Sequence, residues 1–258
     1  MPSPDQSSGT SLVGRVALVT GGASGLGRAT CIALAAVGVH PVVADIDATG
    51  AAETVAIIEN AGGAAEAVTF DVTSADDRLT TTAGLFERFG RRFSILVNVA
   101  GIDRPGYLVD VDQAAYEQVF AVNCHGPVFL IKEFVNGFRA SEVDLDLGDV
   151  EAEIVNIISI SAVTVGSGAV AYNSSKAAFA KATEIFQTEV REFGHPCRIQ
   201  GLMPAAMDTP MMAQWGIPAD RMMDPTEIAA EILHCLRRSR GVYGQNLIVT
   251  PRVENYPR

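Results

Sequence analysis

The sequence predicts an α/β fold: a single-domain Rossmann fold with a doubly wound, seven-stranded parallel sheet and helices on both faces. Short β-branched runs alternate with longer, alanine-rich helical stretches along the whole chain. Most of the short runs lack polar alternation, which is typical of strands buried on both faces of a parallel sheet. Alternation of strands and helices at this spacing implies right-handed βαβ crossovers.

The individual elements follow from the same patterns. The predicted strands are 15–20, 40–45, 67–72, 94–99, 153–158, 197–202 and 246–250. The helical patterns between them cover 25–38, 49–61, 75–90, 113–138, 172–193 and 225–238. No internal repeat, low-complexity linker or break in composition divides the sequence. We therefore predict one domain over 12–258, preceded by a polar, flexible tail over 1–11.

Composition and charge exclude several classes of protein. Hydrophobic residues make up 48% of the chain, yet no apolar run reaches the ~18 residues that a membrane span requires. The first residues lack the basic and apolar regions of a secretory signal. A net charge of −11 argues against nucleic acid or an anionic membrane as the main partner. We expect a cytoplasmic protein that acts on a small molecule.

The cysteines and histidines indicate neither disulfides nor a metal site. The four cysteines are widely spread, with no C-x-x-C pair, and the four histidines lack the spacing of metal ligands. Such a pattern is typical of buried free thiols in a reducing compartment. We predict no metal.

A glycine-rich turn follows the first predicted strand and opens the first helix. In "TGGASGLG", Gly21, Gly25 and Gly27 have the spacing G-x3-G-x-G, with Ser24 and Leu26 between them. Such glycines permit a tight turn and close backbone approach to a pyrophosphate, and the helix N-terminus offers free N–H groups. Similar turns also occur for structural reasons alone. The position at the first βα junction favours a dinucleotide site.

Asp45, at the end of the second predicted strand, indicates which dinucleotide binds. A carboxylate there can accept hydrogen bonds from both adenosine ribose hydroxyls, and it would repel a 2′-phosphate by roughly 4 kcal/mol at about 4 Å. Ser24 stands where a lysine or arginine would attract that phosphate. We therefore predict NAD, with Ile46 at the same end. Asp71 and Val72 are placed to meet the adenine edge, although a turn or helix cap is an equally good interpretation of Asp71.

Six sequence motifs, the glycine-rich turn among them, point the same way. The stretches are "TGGASGLG" (20–27), "NVAG" (98–101), "VNCHGPVFL" (122–130), "NIIS" (156–159), "YNSSK" (172–176) and "MPAAMDTP" (203–210). Together, and in this order, they resemble the short-chain dehydrogenase/reductase family. The resemblance implies NAD(P)-linked interconversion of an alcohol and a carbonyl. It also implies a homo-oligomer, a dimer or tetramer packed through the long helices.

Carried over residue by residue, the resemblance implies a catalytic set of Asn123, Ser159, Tyr172 and Lys176. Ser159 lies thirteen residues before the tyrosine, and Ser161, at eleven, is the second choice. The implied cofactor contacts in these stretches, beyond the glycine-rich turn, are Asn98, Ala100, Gly101, Tyr172, Lys176, Pro204 and Thr209. The substrate is expected to meet the serines and the tyrosine.

The spacing of Tyr172 and Lys176 has a chemical reason. Residues four apart on a helix share a face, so the lysine can place its charge near the phenol. An ordinary phenol has a pKa near 10, and lowering it by two or three units takes roughly 3–4 kcal/mol of phenolate stabilisation. We expect Lys176 to lower the pKa of Tyr172, Ser159 to hold the substrate oxygen, and the Asn123 backbone to anchor a water.

Three segments after the fourth to sixth strands are expected to form the substrate pocket, because ligands collect there in this architecture. Met207 and Trp215, with two more methionines, form an apolar set suited to a lid, although ordinary packing is an equally good interpretation. Arg104 could meet a polar substrate or simply be solvated. The glycine that commonly follows Pro204 in the family is Ala205 here, which predicts a different loop path because alanine enters positive φ less readily.

We predict an NAD-dependent dehydrogenase acting on a secondary alcohol that bears a ring or several hydroxyls. Two alternatives stay open. An NADPH-dependent carbonyl reductase of the 3-ketoacyl kind is opposed by Asp45. A non-catalytic, dinucleotide-sensing scaffold is opposed by the intact set of Ser159, Tyr172 and Lys176.

Overall fold

The computed structural model describes residues 11–141, 150–239 and 241–251, and within them seven parallel strands join one sheet. The strands are β1 (Val16–Thr20), β2 (His40–Asp45), β3 (Glu66–Thr69), β4 (Phe93–Asn98), β5 (Ala152–Ile157), β6 (Cys197–Pro204) and β7 (Asn246–Val249). Their order across the sheet is β3-β2-β1-β4-β5-β6-β7. The predicted fold class is confirmed.

Helices cover both faces of this sheet. They are α1 (Gly25–Ala36), α2 (Ala48–Asn60), α3 (Ala75–Phe89), α4 (Gln113–Phe120), α5 (Gly126–Ala140), α6 (Val170–Phe193) and α7 (Pro225–Arg237). Helices α1, α2 and α7 supply Leu34, Ile58 and Ile232 to one core. Helices α3, α5 and α6 supply Leu85, Phe134 and Phe179 to the other. Strands β1, β4, β5 and β6 are buried throughout. Their burial on both faces explains the unbroken apolar runs in the sequence.

The helix predicted over 113–138 is interrupted by a π-helical turn at Ala121–His125, between α4 and α5. Proline at position 127 has no N–H, so it cannot donate to the carbonyl of Asn123 four residues earlier. The N–H of Gly126 instead bonds the carbonyl five residues before it, which is the π pattern. The stretch predicted over 113–138 is therefore helical throughout, but the π turn within it, which contains a predicted site residue, was not predicted.

The third strand is also shorter than predicted. It ends at Thr69, and the chain turns immediately afterwards, so Asp71 and Val72 lie beyond the strand. Of the polar tail predicted over 1–11, only Ser11 lies within the described residues. Among the residues described, we find no helix whose length and hydropathy would let it cross a bilayer.

Candidate active site

A cleft of about 850 Å³ is lined by residues at the carboxyl ends of the central strands. The order of the strands reverses between β1 and β4, and ligands bind at such a switch point in doubly wound sheets. Most of the predicted site residues line this cleft: Gly21, Ser24, Gly25, Leu26, Gly27, Asp45, Ile46, Asp71, Val72, Ala100, Gly101, Ser159, Ser161, Tyr172, Lys176, Pro204, Met207, Thr209 and Trp215. Of the predicted set, Asn98 and Asn123 are not among the lining residues.

The glycine-rich turn between β1 and α1 leaves no room for side chains. A Cβ at Gly27 would lie 1.9 Å from the carbonyl oxygen of Gly21. Gly25 has φ +49°, and a Cβ there would lie 3.2 Å from Cγ2 of Thr209, which packs over the turn. Ser24 precedes the helix and makes no side-chain cap to its first N–H groups. Those N–H groups and the bare backbone fit a dinucleotide pyrophosphate.

Asp45 is held beside this turn by backbone donors. Its Oδ2 accepts from the N–H of Ala23 at 2.9 Å, and its Oδ1 accepts from the N–H of Asp47 at 3.0 Å. Each carboxylate oxygen has a second lone pair, so the group can still accept ribose hydroxyls. The nearby cation of Arg28 instead pairs with Glu53 at 3.0 Å and donates to the Ala23 carbonyl.

The turns after β2 and β3 form the end of the cleft where contacts with adenine were predicted. Oδ1 of Asp71 accepts from the N–H and the hydroxyl of Thr73, at 2.8 and 2.7 Å. Asp71 therefore caps its own turn, which agrees with the structural interpretation of this residue, while it also lines the cleft. Ile46 also lines the cleft and is 70% exposed, whereas Val72 is buried.

The two asparagines that do not line the cleft bond the elements beneath and beside it. Asn98 is buried and donates from Nδ2 to Oδ1 of Asn156, at 2.9 Å, which joins β4 to β5. Asn123 accepts from the N–H of Ile102 at 2.8 Å and donates to its carbonyl at 2.9 Å. The side chain of Asn98 therefore lies in the core. The side chain of Asn123 holds the loop after β4 through two hydrogen bonds.

Ser159, Tyr172 and Lys176 meet on the floor of the cleft. Nζ of Lys176 donates to the carbonyl of Ile157 at 2.9 Å and lies 5.8 Å from the centroid of the Tyr172 ring. Oγ of Ser159 accepts from the N–H of Ser161 at 3.1 Å and hydrogen-bonds with the phenol. Helix α6 begins at Val170, so its first turns carry the tyrosine and lysine on the face toward β5.

Burial governs the protonation of this pair. It raises the pKa of Tyr172 to about 12, with the hydrogen bond to Ser159 acting in the opposite direction and the charge of Asp103 adding to the rise. Burial also lowers the pKa of Lys176 to about 8. The expected lowering of the tyrosine pKa by Lys176 is therefore wrong for the protein by itself. The lysine charge is desolvated, and its ammonium donates to a backbone carbonyl.

The substrate side of the cleft has apolar walls. Met207 and Trp215, together with Met211 and Met212 on a 3-10 helix over Pro210–Trp215, all line it. Arg104 is exposed at the rim, and its Nη1 donates to the backbone carbonyl of Asp103 at 3.0 Å. The walls are thus made of flexible, polarisable side chains that can accommodate carbon-rich molecules.

Ala205 has an unstrained backbone at the start of the loop after β6. Among the described residues, only glycines have positive φ, so alanine is unstrained at this position. Its N–H donates to the carbonyl of Val249 at 2.9 Å, and the residue is buried. Ala205 thus avoids positive φ, as the prediction assumed, and the different loop path stays a prediction.

Asp103 is a cleft residue that sequence reasoning missed. It is only 4% exposed, and its Oδ2 accepts from Nε1 of Trp215 at 2.9 Å. Its Oδ1 is buried without a hydrogen-bond partner. Burial raises the pKa of Asp103, and the indole hydrogen bond opposes that rise. A signal was present in the sequence, because the residue follows the end of β4, where ligand contacts were expected.

The cysteines and histidines take no part in the cleft as disulfides or metal ligands among the described residues. All four cysteines are buried and free, as predicted. In the described ranges, no group of three or more histidine, cysteine, aspartate or glutamate side chains could hold a metal ion.

This sheet order, with a glycine-rich turn and a serine–tyrosine–lysine set in one cleft, defines a Rossmann-type oxidoreductase. The family model described as short chain dehydrogenase matches residues 15–218. The chain belongs to that family.

Known relatives cover nearly the whole chain. A 2,5-dichloro-2,5-cyclohexadiene-1,4-diol dehydrogenase of Sphingobium indicum is 32% identical over 228 residues, covering 84% of this chain and 87% of its own length. A 3-oxoacyl-[acyl-carrier-protein] reductase of Thermotoga maritima is 28% identical over 232 residues, covering 86% and 90%. The crystal structure of a proposed NAD(P)-dependent gluconate 5-dehydrogenase of Beutenbergia cavernae, with NADP at low occupancy, superposes with a TM-score of 0.80. It is 27% identical and covers 93% of this chain and 97% of that one.

Proposed function

We propose that this chain is an NAD-dependent dehydrogenase that interconverts a secondary alcohol and a ketone, with Tyr172 as its acid–base group. The observation that carries the proposal is the meeting of Ser159, Tyr172 and Lys176 with the glycine-rich turn in one cleft. When bound, NAD supplies a hydride acceptor and a positive charge.

The side chains have separate tasks in this proposal. Tyr172, as the phenolate, accepts the hydroxyl proton of the alcohol during oxidation, and the phenol so formed returns a proton to the substrate oxygen during reduction. Oγ of Ser159 holds the substrate oxygen beside the phenol. Lys176 orients the cofactor ribose and passes protons toward a water at the Asn123 carbonyl, which Pro127 deprives of its usual helical donor.

Substitution of Tyr172 by phenylalanine tests the catalytic assignment. The ring and its packing remain, while the exchangeable proton is lost, so kcat should fall about 10²- to 10⁴-fold. NADH affinity, measured by fluorescence titration, should change little. A non-catalytic, dinucleotide-sensing scaffold would bind NADH equally well in both forms and turn over no alcohol in either. Unchanged turnover by Tyr172→Phe would refute the assignment.

The preference for NAD rests on Asp45. Its carboxylate is fixed by the N–H groups of Ala23 and Asp47, and Arg28 is paired with Glu53 rather than free for a 2′-phosphate. The second candidate, an NADPH-dependent reductase of the 3-ketoacyl kind, is favoured by the Thermotoga maritima relative and by the NADP of the Beutenbergia cavernae structure.

Exchange of cofactors in a rate assay separates the two candidates. Wild-type protein should turn over faster with NAD(H) than with NADP(H). Asp45→Asn should shift the ratio of kcat/KM toward NADP by about 100-fold, because a repulsion of several kcal/mol is removed. Glu59→Asn, an exposed position on α2, is the charge-matched control and should leave the ratio unchanged. Faster turnover of the wild type with NADPH would overturn the NAD assignment.

We propose a ring-bearing or polyhydroxylated alcohol as substrate. The apolar wall around Met211 and Trp215 supports a carbon ring, and relatives named for a cyclohexadiene diol and for gluconate support several hydroxyls. A screen at the NADH absorbance band, with sugars, cyclic alcohols, steroids and hydroxy acids, tests this class. Turnover confined to hydroxyl-poor linear alcohols would contradict it.

We also propose a homo-oligomer, a dimer or tetramer, in the cytoplasm. Exposed Phe129 on α5 and Ile185 on α6 support association through the long helices, and the four free, buried thiols support a reducing compartment. Light scattering coupled to size exclusion measures the oligomeric state, and a monomer at micromolar concentration would contradict the first part. Cell fractionation tests the second.

A further inference from the structure

Asp103 lies on the substrate side of the cleft, held by neighbouring residues, and only one of its two carboxylate oxygens accepts a side-chain hydrogen bond. The preceding residue, Ile102, is clamped through both its N–H and its carbonyl by the side chain of Asn123. Oδ2 accepts from the indole of Trp215, which reaches across from the wall after β6. Backbone and carboxyl group are therefore both fixed.

Burial raises the pKa of the Asp103 carboxyl group, and the backbone N–H and the charge of Arg104 help to lower it, yet its second oxygen makes no geometrically formed hydrogen bond. Oδ1 is buried and makes no hydrogen bond to any described residue. The guanidinium Nη1 of neighbouring Arg104 donates to the backbone carbonyl of Asp103 and not to its carboxylate. The thioethers of Met207 and Met211 have no N–H or O–H group that could donate a hydrogen bond. A buried acceptor of this kind is unfavourable unless a ligand supplies the missing donor.

The position of Asp103 indicates where that donor belongs in the ligand. Asp103 and Tyr172 both line this one cleft. A single small molecule can therefore reach both residues. A hydroxyl fits better than an ammonium, because one hydrogen bond satisfies it and the methionine wall offers a cation no further strong acceptor.

We propose that Asp103 is the specificity residue of the substrate pocket and selects diols: Oδ1 accepts a hydrogen bond from a second hydroxyl while the first reacts at Tyr172. The inference rests on the function proposed above and narrows its substrate class. It assigns Trp215 the task of holding the carboxylate in place. No chemical step is added, since the second hydroxyl is bound and not transformed.

The chain carries its own probe for this test, because Trp215 is its single tryptophan. Emission of Trp215 is titrated with cyclohexanol and with cis-1,2-cyclohexanediol in protein saturated with NADH, where neither alcohol can react. The wild type should bind the diol about tenfold more tightly, which is the range for a hydrogen bond to a charged group. Asp103→Asn keeps an acceptor for the indole but should lose this preference. Asp110→Asn, exposed in the same loop, should keep it.

Turnover supplies an independent readout. Asp103→Asn should lower kcat/KM for the diol about tenfold and leave cyclohexanol unchanged. Equal binding of the two alcohols by the wild type, no binding of either, or a preference that survives Asp103→Asn overturns the proposal. Diol binding that depends on Asp103 without oxidation of any alcohol would instead refute the proposed function. If oxidation requires Tyr172 but is equally efficient with and without a second hydroxyl on the substrate, only the role of Asp103 is refuted.

Discussion

The two ends of the cleft are built by different means. At the dinucleotide end the surface is mainly backbone: the turn at Gly27 has no room for a methyl group, and Asp45 is fixed by two peptide N–H groups. At the substrate end the surface is mainly side chains, on loops and on the 3-10 helix over Pro210–Trp215. A backbone site is intolerant of added atoms, whereas a side-chain wall can be altered without disturbing the fold.

The largest expected effect comes from adding one methyl group to the backbone-built end. Gly27→Ala would place a Cβ 1.9 Å from the carbonyl oxygen of Gly21, so the turn between β1 and α1 must move. We expect the free energy of unfolding to fall by about 3 kcal/mol, as for other severe overpacking, and NADH binding to weaken strongly. Urea denaturation and fluorescence titration measure the two changes.

Gly84→Ala is the matched control for this substitution. Gly84 lies within α3, and nothing is within 4 Å of the position that its Cβ would occupy. Alanine is favoured over glycine in a helix, so stability should rise by up to about 1 kcal/mol. If both variants changed stability alike, the contrast drawn between a tight and an open backbone would fail.

Lys176 lies between the two ends of the cleft and carries a buried charge. Removing this charge is expected to have the second-largest effect on stability. Burial lowers the pKa of Lys176 to about 8 in the folded chain from an ordinary value of 10.5. Below pH 8 both folded and unfolded chains bind this proton, and keeping it in the fold costs about 3 kcal/mol. Between pH 8 and 10.5 the unfolded chain binds more protons, so this cost disappears and stability rises with pH.

Lys176→Met should therefore stabilise the protein at pH 7 while abolishing turnover. Loss of the hydrogen bond to Ile157 offsets part of the gain, which leaves about 1–2 kcal/mol. Lys181→Met, at an exposed position on the same helix that pairs with Glu184, should change stability by less than about 0.5 kcal/mol. Denaturant titrations at pH 7 and pH 10 provide the measurement. A destabilised Lys176→Met at pH 7 would contradict this account of the buried charge.

The difference between the two ends of the cleft also explains which features of the site could be predicted from the sequence. The dinucleotide end follows from local patterns, since the glycine spacing and the strand ends lie within a few dozen residues of each other. The meeting of Ser159, Tyr172 and Lys176 follows from one strand end and one helix start. Such features need only the order of the elements, which alternation and burial of the strands already determine.

The substrate end required the structure. Asp103 and Trp215 are 112 residues apart, and their contact depends on the paths of two loops that no periodicity specifies. The inward orientation of Asn98 depends on its register opposite Asn156, and the rise in the pKa of Tyr172 depends on burial rather than spacing. The π turn could be predicted only in part. A proline within a helical pattern shows that the hydrogen bonding must change there, but not that it changes to the π pattern.

The smallest effect should come from trimming the side-chain wall. Met211→Ala removes a half-buried side chain at the cleft surface, so stability should change by less than about 0.5 kcal/mol. The kcat/KM for a cyclic alcohol should nevertheless fall roughly fivefold, because apolar contact with the ring is lost. Met203→Ala, in the buried β6, is the opposite case and should cost about 2–4 kcal/mol of stability. A fall in stability at Met211 as large as that at Met203 would show that the wall is part of the core, and that the two ends of the cleft do not differ as described.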